Sequence, residues 1–434
     1  MNSAQKMMDF IQKSPSCFHA INNIKETLIQ KGFKELKESQ VWKLDAGGKY
    51  FVTRNGSSII SFTLPSATFQ SFLICASHSD SPTFKIKENP ELPGAGLVSL
   101  NVEKYGGMLI NPWFDRPLSI AGRIVVSEKS DSTKLSFKSI LINFDRDLVM
   151  IPNLAIHMNR DANEGHHFDL QQEIRPVISE NEDFSLKKLL AKEAGVKAEE
   201  IISYDLFLYN RDKGTFWGEK KEFISSPKLD DLECVYTSLQ AFLNAAENPV
   251  SDKNVKVYVV FDNEEVGSNS RQGAGSTFLY DTLHRINESF GRSEQEYLAA
   301  IAQSFLVSAD NAHAIHPNYI SSADPVNRPC VNGGPVIKFN AAQKYTSDGI
   351  SASVFKKICD EAKVPYQIYT NNSNIAGGST LGNISNSQVS LMAVDIGIAQ
   401  WSMHSPNESA GSKDVEYMEK ALTRFYMSEI EVIW

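Results

Sequence analysis

The chain has 434 residues, 42% of them hydrophobic, and a formal net charge of −9. This globular composition excludes a disordered or fibrous protein, and the acidic balance without a basic patch argues against nucleic acid or an anionic membrane as a partner. Five widely spaced cysteines and the lack of a long apolar stretch favour a soluble cytoplasmic protein.

The predicted elements alternate along much of the chain. Residues 3–31 have helical periodicity with a break at Ser14-Pro15, and further helices are predicted over 231–246, 351–362 and 413–428. Short, continuously apolar runs cover 72–76, 255–261, 305–308 and 389–398. Such runs are typical of strands that helices cover on both faces. The pattern therefore predicts an α/β fold, a sheet between two layers of helices.

The region from about residue 86 to residue 212 follows a different pattern. It contains short strands punctuated by glycine and proline, and one convincing helix over 185–194. We therefore predict a β-rich domain, residues 87–212, inserted into an α/β domain made of residues 1–86 and 213–434.

Side chains able to bind a metal follow the apolar runs or open the helices. They are His78, Asp80, Asp230, Asp231, Glu264, Glu265, Asp310 and His404. Ligands of open α/β sheets gather beyond the carboxyl ends of the strands, so we expect these residues to converge. Imidazoles combined with carboxylates suit zinc, cobalt or manganese.

The adjacent pair Glu264 and Glu265 directly follows the apolar run VKVYVVF. Neighbouring residues at a strand end point in different directions, so one glutamate can bind a metal while the other acts as a general base on water. The alternative is a solvated acidic turn, the commoner fate of such a pair. The preceding buried strand favours the functional interpretation.

Nine blocks resemble the aspartyl aminopeptidase family in their order along the chain. They are ASHSDSP (76–82), NPWFDRPLSIAGR (111–123), IPNLAIHMNRD (151–161), PKLDDLE (227–233), FDNEEVGS (261–268), SADNAHAIHPNY (308–319), GPVIKFN (334–340), GGSTLG (377–382) and MHSPNE (403–408). The resemblance implies a metallo-aminopeptidase that removes N-terminal aspartate or glutamate from peptides. It also implies a three-layer catalytic domain, an inserted dimerisation domain and assembly of dimers into a dodecamer.

The resemblance further implies two divalent metal ions, with zinc expected and cobalt or manganese as alternatives. Asp230 would bridge them, and each ion would have two further ligands, His78 with Asp310 and Glu265 with His404. Glu264 would be the general base. Asp80 would orient the imidazole that binds the metal. The peptide bond between Asp230 and the next residue is expected to be cis.

Substrate contacts are implied in the same way. Lys338 would bind the acidic side chain of the substrate, although a lysine near a strand end is otherwise usually solvent-facing. Tyr345, Gly378 and Ser379 would contact the substrate or polarise its carbonyl. His157 would complete the active site of a neighbouring subunit; the alternative is a half-buried histidine on a strand.

One residue departs from the family pattern, since Asn407 stands where the family commonly has arginine. Two other functions stay open at this point: an aminopeptidase of broad or neutral preference, and a catalytically silent assembly protein of the same fold. The sequence does not identify the physiological peptides, the metal bound in the cell, regulation or the pH optimum.

Overall fold

The computed structural model describes residues 2–128, 133–248 and 253–433. Within these residues the α-helices are α1 (Ser3–Gln12), α2 (Cys17–Gln30), α3 (Leu186–Ala194), α4 (Leu229–Glu247), α5 (Phe278–Ser289), α6 (Glu294–Ala302), α7 (Gly349–Ala362), α8 (Leu381–Asn386) and α9 (Asp414–Tyr426). Side chains start several of these helices. At the start of α6, for example, the hydroxyl of Ser293 accepts a hydrogen bond from the backbone N–H of Glu296. The side chain of Glu296 in turn accepts a hydrogen bond from the backbone N–H of Ser293.

The strands of the described residues fall into three sheets. In chain order they are β1 (Lys34–Leu36), β2 (Lys49–Arg54), β3 (Ser58–Thr63), β4 (Ser71–His78), β5 (Thr83–Gly94), β6 (Leu97–Tyr105), β7 (Leu118–Ser127), β8 (Phe137–Asn143), β9 (Val177–Ser179), β10 (Ile201–Asn210), β11 (Thr215–Trp217), β12 (Phe223–Ser226), β13 (Asn254–Phe261), β14 (Phe305–Ala309), β15 (Ala312–His313), β16 (Val336–Phe339), β17 (Gln367–Thr370), β18 (Met392–Gly397), β19 (Ala399–Trp401) and β20 (Glu408–Gly411).

The chain divides into two compact units. The first unit contains Met1–Asp80, Gly214–Met403 and Glu408–Trp434, and the second contains Ser81–Lys213 and His404–Asn407. The dimerisation role expected for residues 87–212 stays a prediction.

The first unit is built on a nine-stranded sheet with the order β1-β2-β3-β13-β4-β14-β18-β16-β17. Its central strands β13, β4, β14 and β18 run parallel to one another. Strand β13 shows why its sequence is continuously apolar: Val257 and Val259 pack with α5 and α6, whereas Tyr258 and Val260 pack with α4 and α9. Helices therefore cover both faces, and the predicted α/β fold is confirmed.

A smaller sheet of the first unit has the order β11-β12-β20-β19-β15. Its strands are short, and β15 and β19 run parallel beside each other immediately after β14 and β18. The small sheet therefore begins just beyond the carboxyl ends of the central strands β14 and β18.

The second unit contains a six-stranded sheet with the order β8-β7-β10-β5-β6-β9. All of its strand pairs are antiparallel. Leu186 and Leu190 of α3 pack into its core with Ile124 and Ile142, which gives the unit a hydrophobic core of its own.

Within the residues that the structure describes, every helix is too short or too polar to cross a membrane.

Candidate metal centre

Three adjacent parallel strands of the large sheet deliver polar side chains to one edge. His78 is the last residue of β4, Glu264 and Glu265 lie in a short 3-10 turn after β13, and Asp310 directly follows β14. Strand β4 lies between β13 and β14. Because parallel strands end at the same edge, these side chains meet there.

Asp230 and Asp231 come from an irregular turn at the start of α4. The peptide bond between them is cis, as the family resemblance implies, and both residues have non-helical backbone angles. The backbone N–H of Asp230 donates to Oε2 of Glu408 at 3.0 Å. The backbone N–H of His78 donates to Oδ2 of Asp231 at 3.1 Å, which ties this turn to the end of β4.

The imidazole of His78 stands among three of these carboxylates. Its Nε2 lies 3.4 Å from Oδ1 of Asp230, 3.8 Å from Oδ1 of Asp310 and 4.0 Å from Oδ2 of Asp231. One ligand atom from each of these four residues lies within 4.8 Å of all the others. This group thus brings together three of the five predicted ligands and Asp231, which was also expected to converge here.

The two glutamates form a second group around the same imidazole. Ligand atoms of His78, Glu264 and Glu265 lie within 4.8 Å of one another. Asp80 holds this arrangement, because its Oδ1 accepts the backbone N–H of Glu264 at 3.1 Å and its Oδ2 accepts that of Glu265 at 3.2 Å. Nδ1 of His78 lies 3.1 Å from the carbonyl oxygen of Asp80 and 3.4 Å from its Oδ1.

The centre concentrates acidic groups away from solvent, and this changes their proton affinity. Burial, followed by the nearby carboxylates of Asp310, Asp80 and Asp230, raises the pKa of Glu264 to about 8, although His78 opposes the shift. Burial by itself would lower the pKa of His78, but the surrounding carboxylates raise it well above its ordinary value. Both shifts indicate that the centre favours bound positive charge.

A divalent cation fits this donor set. Buried carboxylates are stable when they are paired with positive charge, and one imidazole with several carboxylate oxygens is a ligand set that zinc accepts. The candidate ligands are almost fully buried, with exposed fractions of 1% for His78, 3% for Asp230 and 7% for Asp310. The geometry and the charge thus agree with a metal site built from these residues.

Two predicted site residues lie in the second unit. His404 has a left-handed backbone with φ of 66°, and its carbonyl oxygen accepts the N–H of Leu109 at 3.1 Å. Its role as a ligand stays a prediction. His157 lies in an exposed turn next to Ile156 and Met158, which are 47% and 74% exposed. The alternative of a half-buried histidine on a strand is wrong for this residue.

Lys338 on β16 is buried, so the alternative prediction that this lysine faces solvent is wrong. Its side chain is close to the metal centre, because Nζ donates to the carbonyl oxygens of Asp310 at 2.8 Å and Asn311 at 3.2 Å. Nζ also lies 3.8 Å from Oδ2 of Asp310 and 5.3 Å from the ring centroid of Tyr345. These carboxylate and aromatic neighbours raise the pKa of Lys338 despite its burial, which by itself lowers it, so the ammonium is charged.

The predicted substrate loops, which contain Tyr345, Gly378 and Ser379, are joined by a residue that the sequence analysis did not single out. Asp395 on β18 is fully buried. Its Oδ2 accepts the backbone N–H and the hydroxyl of Thr346, at 2.5 and 2.7 Å. Its Oδ1 accepts the hydroxyl of Thr380 at 2.6 Å.

Two residues of this region were missed, and one of them carried a signal. Asp395 interrupts an otherwise apolar strand. An acidic residue at a position that the strand pattern assigns to the core indicates a specific partner. Glu408, which fixes the backbone of Asp230, lies in a strand too short to be predicted.

Comparisons with known proteins agree with this geometry. The family described as "Aminopeptidase I zinc metalloprotease (M18)" matches residues 10–426. A "Probable M18 family aminopeptidase 2" from Clostridium acetobutylicum is 47% identical over 432 residues, with 98% of each chain covered. Similar solved structures include the "Ape4 and Nbr1 complex", at 37% identity and a TM-score of 0.94 with 98% and 85% coverage. They also include the S. cerevisiae mApe1 dodecamer, at 27% identity and a TM-score of 0.84, with 98% of this chain and 96% of that chain covered.

Proposed function

Because the chain belongs to the M18 family of zinc aminopeptidases, we propose that it removes N-terminal aspartate or glutamate from peptides. The observation that carries the proposal is the buried cluster of His78, Asp230 and Asp310 beside the glutamate pair. We propose Asp230 as the bridging ligand of two ions. His78 and Asp310 complete one site, and Glu265 and His404 complete the other.

The protein's own residues have distinct tasks in this proposal. Bound zinc supplies Lewis acidity toward the scissile carbonyl and acidifies the attacking water. Glu264 takes the proton from that water and returns it to the amine that leaves. Asp80 fixes the turn of Glu264 through a backbone N–H, so the general base is positioned by a residue that does not itself touch the substrate.

An acidic preference requires a cation close to the reacting centre. Lys338 supports this preference because its charged Nζ lies 3.8 Å from Oδ2 of Asp310. A buried carboxylate of the substrate needs such a partner to offset the loss of its hydration. Tyr345, Gly378 and Ser379 are proposed as further contacts with the substrate.

A neutral or broad preference is the second candidate. It is favoured by one observation, since Nζ of Lys338 already donates to two backbone carbonyls and keeps one of its three donors for a substrate. A silent assembly protein is not favoured, because Glu264 and the predicted ligands are all present.

A comparison of aminoacyl p-nitroanilides tests the proposal. The zinc-loaded protein is expected to cleave the Asp and Glu anilides faster than the Leu and Lys anilides. Lys338→Ala is expected to reduce cleavage of the acidic anilides only, whereas the control Lys357→Ala, at a side chain 72% exposed on α7, leaves the ratio unchanged. Equal rates on acidic and neutral anilides support the neutral alternative.

Assembly and location are part of the same proposal. We propose a homo-oligomer of dimers, with a dodecamer as the expected size, in which His157 completes the active site of a neighbouring subunit. The exposed turn around His157 supports this role. The solution mass of the purified protein tests the assembly. A cytoplasmic location is proposed on the basis of the five widely spaced cysteines.

A further inference from the structure

A cavity of about 260 Å³ lies in the first unit beside the small sheet. Its walls come from four segments: residues 313–316 after the metal centre, residues within 319–329, residues within 369–377 from the end of β17 onward, and residues 400–402 at the end of β19. Gly377, next to the predicted substrate residue Gly378, also lines it. The proposed reaction assigns no role to this cavity.

The cavity is within a few residues' reach of the metal centre. The backbone from Asp310 to Ala314 runs beside residues 396–400, to which it donates hydrogen bonds from Asp310, Ala312 and Ala314. An extended chain advances about 3.3 Å per residue, so the Cα of His313 lies roughly 10 Å from that of Asp310. An extended peptide substrate covers that distance with two or three residues.

Aromatic rings separate the cavity from Lys338. Nζ of Lys338 lies 5.3 Å from the ring centroid of Tyr345, whose ring lies 6.4 Å from that of Tyr369. The ring of Tyr369 lies 6.1 Å from the ring of His313. The two tyrosines thus form a chain of ring contacts between Lys338, to which the side chain of the first substrate residue is assigned, and the cavity that Tyr369 lines.

The chemistry of the cavity is the reverse of that of the metal centre. His313, His316 and Arg328 line it, and the described residues in its walls include no aspartate or glutamate. Asp324 interacts electrostatically with Arg328, and its Oδ1 also accepts the backbone N–H groups of Val326 at 3.0 Å and Asn327 at 2.6 Å. The cavity thus offers cationic and hydrogen-bonding groups to an anion.

Side-chain hydrogen bonds fix the walls of the cavity. Nδ2 of Asn371 donates to the hydroxyl of Tyr369 at 3.0 Å, and Nδ2 of Asn372 donates to the carbonyl of Ser321 at 3.0 Å. Nε1 of Trp401 donates to the carbonyl of Ile315 at 2.8 Å. A preformed polar cavity loses less conformational entropy on binding than a mobile one.

We infer that this cavity binds a carboxylate carried by the residue that follows the cleaved bond, with Arg328 at its exposed edge as the principal partner. The inference rests on the proposed function, because it assigns the first residue of the substrate to Lys338. The carboxylate is a side chain or the carboxyl terminus of a dipeptide, since both present the same planar anion to a guanidinium.

Three peptides and one anilide test the inference on the zinc-loaded protein. Asp-Glu-amide carries the side-chain carboxylate, Asp-Gln carries the terminal carboxylate, and Asp-Gln-amide carries neither. The Asp p-nitroanilide has no second residue, so it reports the proposed function alone. The variants are Arg328→Gln, the charge-conserving Arg328→Lys, and the control Arg424→Gln, whose side chain pairs with Glu361 on the surface.

We expect kcat/KM for at least one carboxylate peptide to exceed that for Asp-Gln-amide on the order of tenfold, as for one charge-assisted hydrogen bond. Arg328→Gln should remove this preference, and Arg328→Lys should retain part of it. Arg424→Gln should leave the preference unchanged, and the rate on the anilide should stay the same in all variants. The peptide that carries the preference identifies the source of the carboxylate. Equal rates on all three peptides, or a ratio that survives Arg328→Gln, overturn the inference.

Discussion

Asp80 accepts the backbone N–H of Glu264 at 3.1 Å, and with its other oxygen it accepts the N–H of Glu265. Its Oδ1 also lies 3.4 Å from Nδ1 of His78. One buried carboxylate thus sets the position of the proposed general base and of the imidazole on the neighbouring strand. Its effect on catalysis is therefore one of positioning.

Asp80→Asn is expected to lower kcat about 10- to 100-fold, the range found for residues that orient metal ligands. The asparagine amide replaces one acceptor by a donor, so one of the two backbone N–H groups of the turn loses its partner. Steady-state kinetics and zinc content check this. A variant with normal kcat would show that Asp80 does not position the glutamates.

Glu264→Gln is expected to keep the bound zinc and to lose turnover on the order of 10²- to 10⁴-fold, because glutamine preserves the shape but not the basicity of the side chain. Glu265→Gln is the matched variant, and it should lower zinc content because it removes a proposed ligand. Metal analysis together with the rate on Asp p-nitroanilide separates the two roles. Near-normal turnover of Glu264→Gln would contradict the assignment of the base.

Asp395 is expected to control substrate binding through the two loops that it joins. Asp395→Ala removes the acceptor of Thr346 and Thr380 together, so KM for peptides should rise while zinc content stays normal. Thr380→Val removes one hydrogen bond and should have a smaller effect. KM values for the three proteins check this order; an unchanged KM in Asp395→Ala would contradict it.

Lys228 gives a pH-dependent contribution to stability. Burial lowers its pKa to about 7, against 10.5 for an exposed lysine. Between these values the unfolded chain binds the proton and the folded chain does not, so the free energy of unfolding should rise with pH from about 7 upward. Lys228→Met should lack this rise, and Lys31→Met, at an exposed lysine, should keep it.

Denaturant unfolding of the metal-stripped protein at pH 7, 8 and 9 measures this difference. Removal of the metal keeps its own pH-dependent binding out of the comparison. Parallel pH profiles for Lys228→Met and the parent chain would show that the buried ammonium does not titrate in this range.

The large sheet could be predicted from the sequence because its strands are buried on both faces. Val257 and Tyr258, for example, enter different cores, so the strand is apolar at every position and stands out from the loops. The start of the strand predicted over 389–398 is less accurate. Val389 and Leu391 are buried outside the strand, which begins at Met392, because hydrophobicity reports burial and not backbone conformation.

The small sheet could not be predicted for the opposite reason. Its strands span two to four residues, as in Ala312–His313 and Glu408–Gly411, and no periodicity can be recognised over such lengths. The contacts of Glu408 and the cavity beside His313 depend on this sheet. They therefore become visible only when the strands have been placed in space.

The order of strands β13-β4-β14 also bears on biosynthesis. His78 leaves the ribosome early, but its neighbour Asp310 is encoded more than two hundred codons later, at position 310 of 434. A nascent polypeptide that stops short of that codon carries the imidazole, the glutamate pair and Asp230 but lacks the carboxylate of Asp310. The proposed ligand set is therefore incomplete until residue 310 has been added to the growing chain.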